Sequence, residues 1–206
     1  MPRIAGRSRQ DTRRAVLLAS RRAFGEMGLA GASLSVIAER AGVTPATLCH
    51  HFGGKQGIYE AVTDEVYREL GTLASAIDPS RPLEELIDAV YTHAERNAGG
   101  IRFLLRQIVE AGGVPAHVRK RHMRPWLEKL SAILGARFDV DAQAARTAIV
   151  ALTHLVMRFV TNTEEDNRVA LDAADARETR ARIMTILTGT AQHLLGLCPL
   201  TTRSES

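Results

Sequence analysis

The chain has 206 residues, 45% of them hydrophobic, enough for one or two domains with a substantial buried core. Its net charge of +4 is unevenly laid out: residues 1–60 hold nine Lys or Arg against four Asp or Glu, and residues 61–206 hold eighteen against nineteen. Cys49 and Cys198, far apart in sequence, make neither a disulfide framework nor a zinc site and fit a reducing cytoplasm, while apolar runs of a few residues predict no membrane span and no signal peptide.

Met1 to Gln10 carries Arg3, Arg7 and Arg9 among small and polar residues and has no apolar periodicity, so it reads as a disordered tail. Its functional reading is a basic arm over residues 1–11 that lies along a minor groove. Thr12 to Met27 predicts a helix with Val16, Ala19, Ala23 and Met27 on one face, stopped by Gly28.

The most informative stretch runs from Ser33 to Lys55 and predicts two short helices joined by a tight turn. Ser33 caps the first helix, Ile37, Ala38 and Ala41 give it an apolar face, and Gly42 ends it. Thr44 followed by Pro45 then starts a second helix as an N-cap with proline at the first helical position. On that helix Leu48 and Phe52 form a stripe suited to packing with Val43 and Ile37. Thr44, Thr47 and His51 line an adjacent side without a carboxylate. A helix too short to stand alone is thereby pinned by one stripe and presents another, as a reader of the DNA major groove requires. Lys55, after Gly53-Gly54, opens the next helix where an ammonium suits a phosphate.

These residues carry a family resemblance. A helix ending in Phe24 and Gly28, a hydroxyl at Ser33, then Ile37-Ala38, Ala41-Gly42-Val43-Thr44, Leu48, His51-Phe52 and Lys55 resemble, in order, the N-terminal DNA-binding region of TetR-type transcriptional repressors. The match spans roughly residues 12 to 60, and several spaced elements are far more specific than one. Stripe and resemblance together give a DNA-contacting set of Ser33, Thr44, Pro45, Ala46, Thr47, Cys49, His50, His51 and Lys55. Cys49 departs from the family, which usually places an aromatic there against the DNA backbone, so one phosphate contact per subunit is expected to weaken or to move to His50. Gly54 likewise replaces a small polar cap.

Beyond Lys55, Ile58, Ala61, Val62, Val66, Leu70 and Leu73 predict a helix ending before Asp78-Pro79. Another opens at Ser80 and is expected to end at Gly99-Gly100; a third covers Ile101 to Ala111. Pro115 begins a segment reaching Gly135 that Pro125 should kink or split, with a basic run at Arg119, Lys120, Arg121 and Arg124 read as a solvated face. Two long helices follow, Asp141 to about Thr161 and about Asp175 to Leu197, separated by Glu164-Glu165-Asp166-Asn167, read as an acidic loop. Their small residues suit a two-fold four-helix interface.

The resulting expectation is an all-α chain: a three-helix helix-turn-helix domain at 1–55 and a helical ligand-binding and dimerisation bundle at 56–206. Catalytic motifs are missing, no metal or cofactor is expected, and the scattered histidines make no ligand set. The resemblance implies a pocket in the second half, for which Phe103, Arg106, Trp126, His154, Met157 and Arg158 are the candidates. It also implies a homodimer, formed through the last two helices, that binds a palindromic double-stranded DNA operator and is released by a small-molecule effector. An activator or a partner-controlled regulator has the same first 60 residues; a non-DNA helical scaffold or an enzyme ranks below both.

Overall fold

The computed structural model describes residues 8–76, 78 and 80–197, the side chains of 73–76 excepted, and every regular element among them is helical. Cys198, Arg3 and Arg7 lie outside the described residues. The helices form two compact units, one from Met1–Leu70 with Gly99–Ala116 and the other from Gly71–Ala98 with His117–Ser206. A single cut after residue 55 does not describe this grouping, because most of the helix that follows Lys55 and nearly all of the 98–111 helix fall with the helix-turn-helix.

In the first unit, α1 spans Arg9–Gly31, α2 Leu34–Ala41, α3 Pro45–Phe52, α4 Lys55–Ala76 and α6 Ala98–Ala111. The start of α1 lies three residues before Thr12 because Ser8 and Asp11 form a reciprocal capping box, with Asp11 N–H donating to Ser8 Oγ at 3.0 Å and Ser8 N–H to Asp11 Oδ2 at 3.2 Å. Residues 9–11 of the expected arm are therefore helical. Gly28 breaks the helix as expected, with φ 72° and ψ 176°, a conformation open essentially to glycine. The core collects Val16, Phe24, Ile37, Leu48, Ile58, Val62, Val66 and Phe103, all close to fully buried. At its centre Tyr59 meets Phe24 and Phe103 edge-on, with ring centroids 5.1 and 5.2 Å apart. Such pairs contribute about 1 kcal/mol each beyond burial. Gln107 Nε2 donates to Thr63 Oγ1 at 3.1 Å, and that hydroxyl donates to Tyr59 O at 2.9 Å, so α6 and α4 also share a buried polar link.

In the second unit, α5 (Leu83–Arg96), α8 (Arg124–Phe138), α9 (Ala142–Thr161) and α11 (Ala176–Leu194) form the bundle, with α7 (Ala116–Val118) and α10 (Glu164–Ala170) as short additions. Gly99-Gly100 do not end α5, contrary to expectation. Asn97 does, its backbone N–H bonding His93 O and Ala94 O and its side chain bonding His93 O at 2.9 Å. Gly100 instead lies inside α6, where a Cβ would overlap the Arg21 guanidinium. The Pro115–Gly135 segment is not split either. A π-helical turn at Arg119–Met123 leads directly into α8, whose first turn holds Pro125, so the path stays helical where an α-helical interior would lose a hydrogen bond and clash. The expected acidic loop is the first turn of α10: Thr163 and Asp166 form a second capping box, and carboxylates at a helix N-terminus are favourable.

Leu127 and Leu130 of α8 pack on Ile149 of α9, with Trp126 and Leu134 beside them. Arg180 of α11 donates to Glu95 at 2.6 Å and to Asp88 at 2.8 Å, and lies over the Tyr91 ring at 5.3 Å, joining α11 to α5. By length and composition α9 is apolar enough to cross a membrane, which the short apolar runs did not predict. Its face carrying Ala145, Ala148, Ile149, Val156 and Val160 is buried in the bundle, and Arg146 and Arg158 lie within its span.

Candidate nucleic-acid interface

Local chemistry fixes α2 and α3 at both ends. Ser33 Oγ accepts from Val36 N–H at 3.2 Å, and Gly42 closes α2 in the left-handed conformation with its N–H on Ala38 O and Glu39 O. Thr44 Oγ1 then accepts from Thr47 N–H at 3.2 Å and shares a 2.9 Å hydrogen bond with Thr47 Oγ1, with Pro45 in the first turn. Leu48 is fully buried, and Val43 and Phe52 pack against the same core, as the apolar stripe predicts.

The other faces of α3 are sorted by exposure. Pro45, Ala46, Cys49 and His50 are exposed, with Thr44 and Ser33; Thr47 and His51 are half-buried. The most outward stripe is thus Pro45, Ala46, Cys49 and His50, one position round the helix from the Thr44, Thr47 and His51 stripe. The rings of His50 and His51 meet edge-on at 5.4 Å. Adjacent on the helix, they form no chelating pair, and among the described residues no group of three or more metal-ligating side chains assembles.

Three features escape the sequence patterns. Arg13 of α1 lies over the Phe52 ring at 5.0 Å, placing a guanidinium beside the end of α3. Gly57 lets the first turn of α4 close on α3: a Cβ there would collide with the Phe52 carbonyl oxygen. Lys55 Nζ donates to Ala30 O at 3.4 Å, so one of its three donors ties the start of α4 to the end of α1. The spacing of an aromatic and an arginine on different helices carries no periodic signal, and a glycine followed by an apolar run looks like any helix start.

The candidate ligand residues scatter. Phe103 is buried in the aromatic cluster of the first unit. Arg106 donates to Glu26 O at 2.8 Å and to Glu110 Oε1 at 2.8 Å, at the edge of an open cleft of about 460 Å³ that Gly25, Arg102, Leu105 and Val109 also line. In the second unit Trp126 is half-buried with its indole N–H unpartnered. His154 is exposed and bonds Val150 O through Nδ1 at 2.7 Å, Met157 is half-buried, and Arg158 is exposed.

Residues 16–62 match the family model described as bacterial regulatory proteins, tetR family. The HTH-type transcriptional regulator BetI 1 of Chromohalobacter salexigens is 31% identical over 118 residues, covering 56% of this chain and 49% of that protein. The regulator BetI of Paraburkholderia phytofirmans is 32% identical over 108 residues, 49% of this chain and 53% of its own. The chain therefore spans about half the length of the curated relatives it matches. In fold it is similar to a TetR-like transcriptional regulator from Rhodococcus sp. RHA1 (TM-score 0.62, 20% identity, 95% of this chain and 99% of that one). A TetR-family regulator from Mesorhizobium loti gives a TM-score of 0.66 at 16% identity, with 93% and 98% covered. Helix-turn-helix geometry, family model and relatives agree over the first part of the chain: residues 16–62 are similar to the tetR family of bacterial regulatory proteins, and the fold is that of TetR-like regulators.

Proposed function

We propose that the chain is a cytoplasmic, ligand-responsive repressor that binds a near-palindromic operator as a homodimer. The single observation that carries this reading is α3 itself, a helix clamped by buried Leu48 that turns an uncharged outer face to solvent from the basic third of the chain. Two copies of α3 enter successive major grooves about 34 to 36 Å apart. Thr47 and His51 read base edges at the helix flank, with Pro45, Ala46, Cys49 and His50 closest to the groove floor. Ser33, Thr44 and Lys55 hold phosphates, and the basic N-terminal arm tracks the minor groove.

Dimerisation through α9 and α11 is supported by how little of α9 one chain covers: 28% of its apolar window is buried, and Val150 stays exposed. An effector bound among the helices of the second unit favours dimers whose α3 spacing no longer matches the operator, and α4, which runs from one unit into the other, carries the change. The test is fluorescence anisotropy on duplexes selected from a random library. Wild-type affinity is expected to fall steeply with salt; Lys55→Ala should weaken all duplexes alike, and Thr47→Ala should relax discrimination at one position. Binding that ignores salt, or two variants that behave alike, would overturn the reading.

A further inference from the structure

The break at Gly28 takes the carbonyls of the turn before it out of the regular helical ladder, and such groups need outside donors. Arg106, some eighty residues later on α6, supplies them: Nη1 lies 2.8 Å from Glu26 O and 3.5 Å from Gly25 O. The same guanidinium is aimed by Glu110, which accepts from Nε at 2.8 Å one turn further along α6. The carboxylate fits there because residue 28 has no side chain; a Cβ would overlap Glu110 Oε1 and lie 3.0 Å from Arg106 Nε. Gly28 thus serves two ends at once, breaking α1 and making room for the pair that caps it.

We propose that Arg106 is a positioning residue for DNA reading: as the remote C-cap of the first part of α1, it fixes the path by which the chain turns into α2 and α3. The inference rests on the DNA-reading role given to α3 above. As an ion pair Arg106–Glu110 matters little, since both side chains are about two-fifths exposed (40% and 39%). Its importance lies in direction, because the pair can cap the carbonyls of α1 in one register of α6 against α1 and in no other. A displacement of α6 by part of a turn uncaps α1 and loosens the approach to α2.

Arg106→Met keeps the aliphatic stem and removes the donors, whereas Arg106→Lys returns one donor. In the free full-length protein, Arg106→Met is expected to raise amide hydrogen exchange over residues 27–34 about tenfold, as loss of a charge-assisted hydrogen bond implies, with Leu48 and α9 amides unchanged. Duplex affinity should fall by a similar factor, and Arg106→Lys should recover part of both. Unchanged exchange over 27–34 overturns the proposal, and so does an equal rise throughout the first unit, which would mean lost packing alone. Local loosening without loss of affinity overturns the positioning role. A wild-type chain that binds no duplex would fail the functional reading itself and this role with it, so the wild-type arm tells the two failures apart.

Discussion

Both compact units cap helix starts, the second at Asp141, Thr163 and Asp175, but the cation that reaches furthest does a different job in each. In the first, short polar side chains act on backbone ends: Ser8, Ser33 and Thr44 cap helix starts, while Arg106 and Lys55 reach carbonyls near the end of α1. In the second, a long side chain bridges helices: Arg180 gathers Asp88, Thr92, Glu95 and the Tyr91 ring, and Asn167 joins α10 to Phe159 O at the end of α9. Caps fix where helices begin and end, which decides how a short helix is aimed; bridges fix which helices neighbour one another, which decides the shape of a bundle. A unit that must aim an eight-residue helix has more use for the first device.

Four measurements would break or sharpen that contrast. Leu48→Ala should cost the first unit about 3 kcal/mol, the usual penalty for emptying a buried leucine site. Urea unfolding followed by exchange in each unit should show α3 melting while α9 stays protected, and simultaneous loss in both units would refute the separation. Gly57→Ala should destabilise the first unit by about 2 kcal/mol, since the new methyl has to displace the Phe52 carbonyl. A crystal structure of that variant with α3 unmoved would show that the contact does not aim the helix. Thr44→Ala should cost about 1 kcal/mol as a lost N-cap, and Thr44→Ser should restore it. Equal melting temperatures for the two variants would remove the cap from the account.

The smallest effect concerns pH. Burial, with Glu95 adding to it and Arg180 opposing, pushes the Tyr91 phenol up to about 12. An unfolded tyrosine titrates near about 10, so the neutral ring's contribution is complete below that pH and is lost as pH rises through about 12. Burial also raises Tyr59 and Tyr67 in the first unit. Tyr91→Phe should therefore flatten the alkaline decline in urea midpoint for the second unit alone; a decline there as steep as in wild type would exclude Tyr91 as its source.

Much of the first unit was legible because its signals are local. Gly42, Thr44-Pro45 and Leu48 stand within seven residues and each has one structural meaning, so the ends of α2 and α3 and the buried stripe follow directly. The start of α1 was missed: Ser8-x-x-Asp11 is a capping box, but the lack of apolar periodicity before residue 12 hid it. Gly99-Gly100 misled because glycine marks both helix ends and tight packing, and the choice between these depends on Arg21, distant in sequence. The acidic run at 164–166 misled because loops and helix starts share that composition. Arg106, Gly57 and Arg13 could not be ranked from sequence, because their importance comes from backbone and ring atoms brought to them by the fold.

The nesting of Gly57 against Phe52 has an evolutionary corollary. Where one helix end abuts the next helix's opening turn with no spare volume, the tilt of the protruding element is inherited from its neighbour and is not free to wander. If α3 reads DNA as proposed, drift in target preference among descendants of this chain is then confined to exchanging Thr47, His51 and the outer Pro45, Ala46, Cys49 and His50 on an unchanging axis. Swapping those six into a related protein that keeps the glycine should carry the preference along with them.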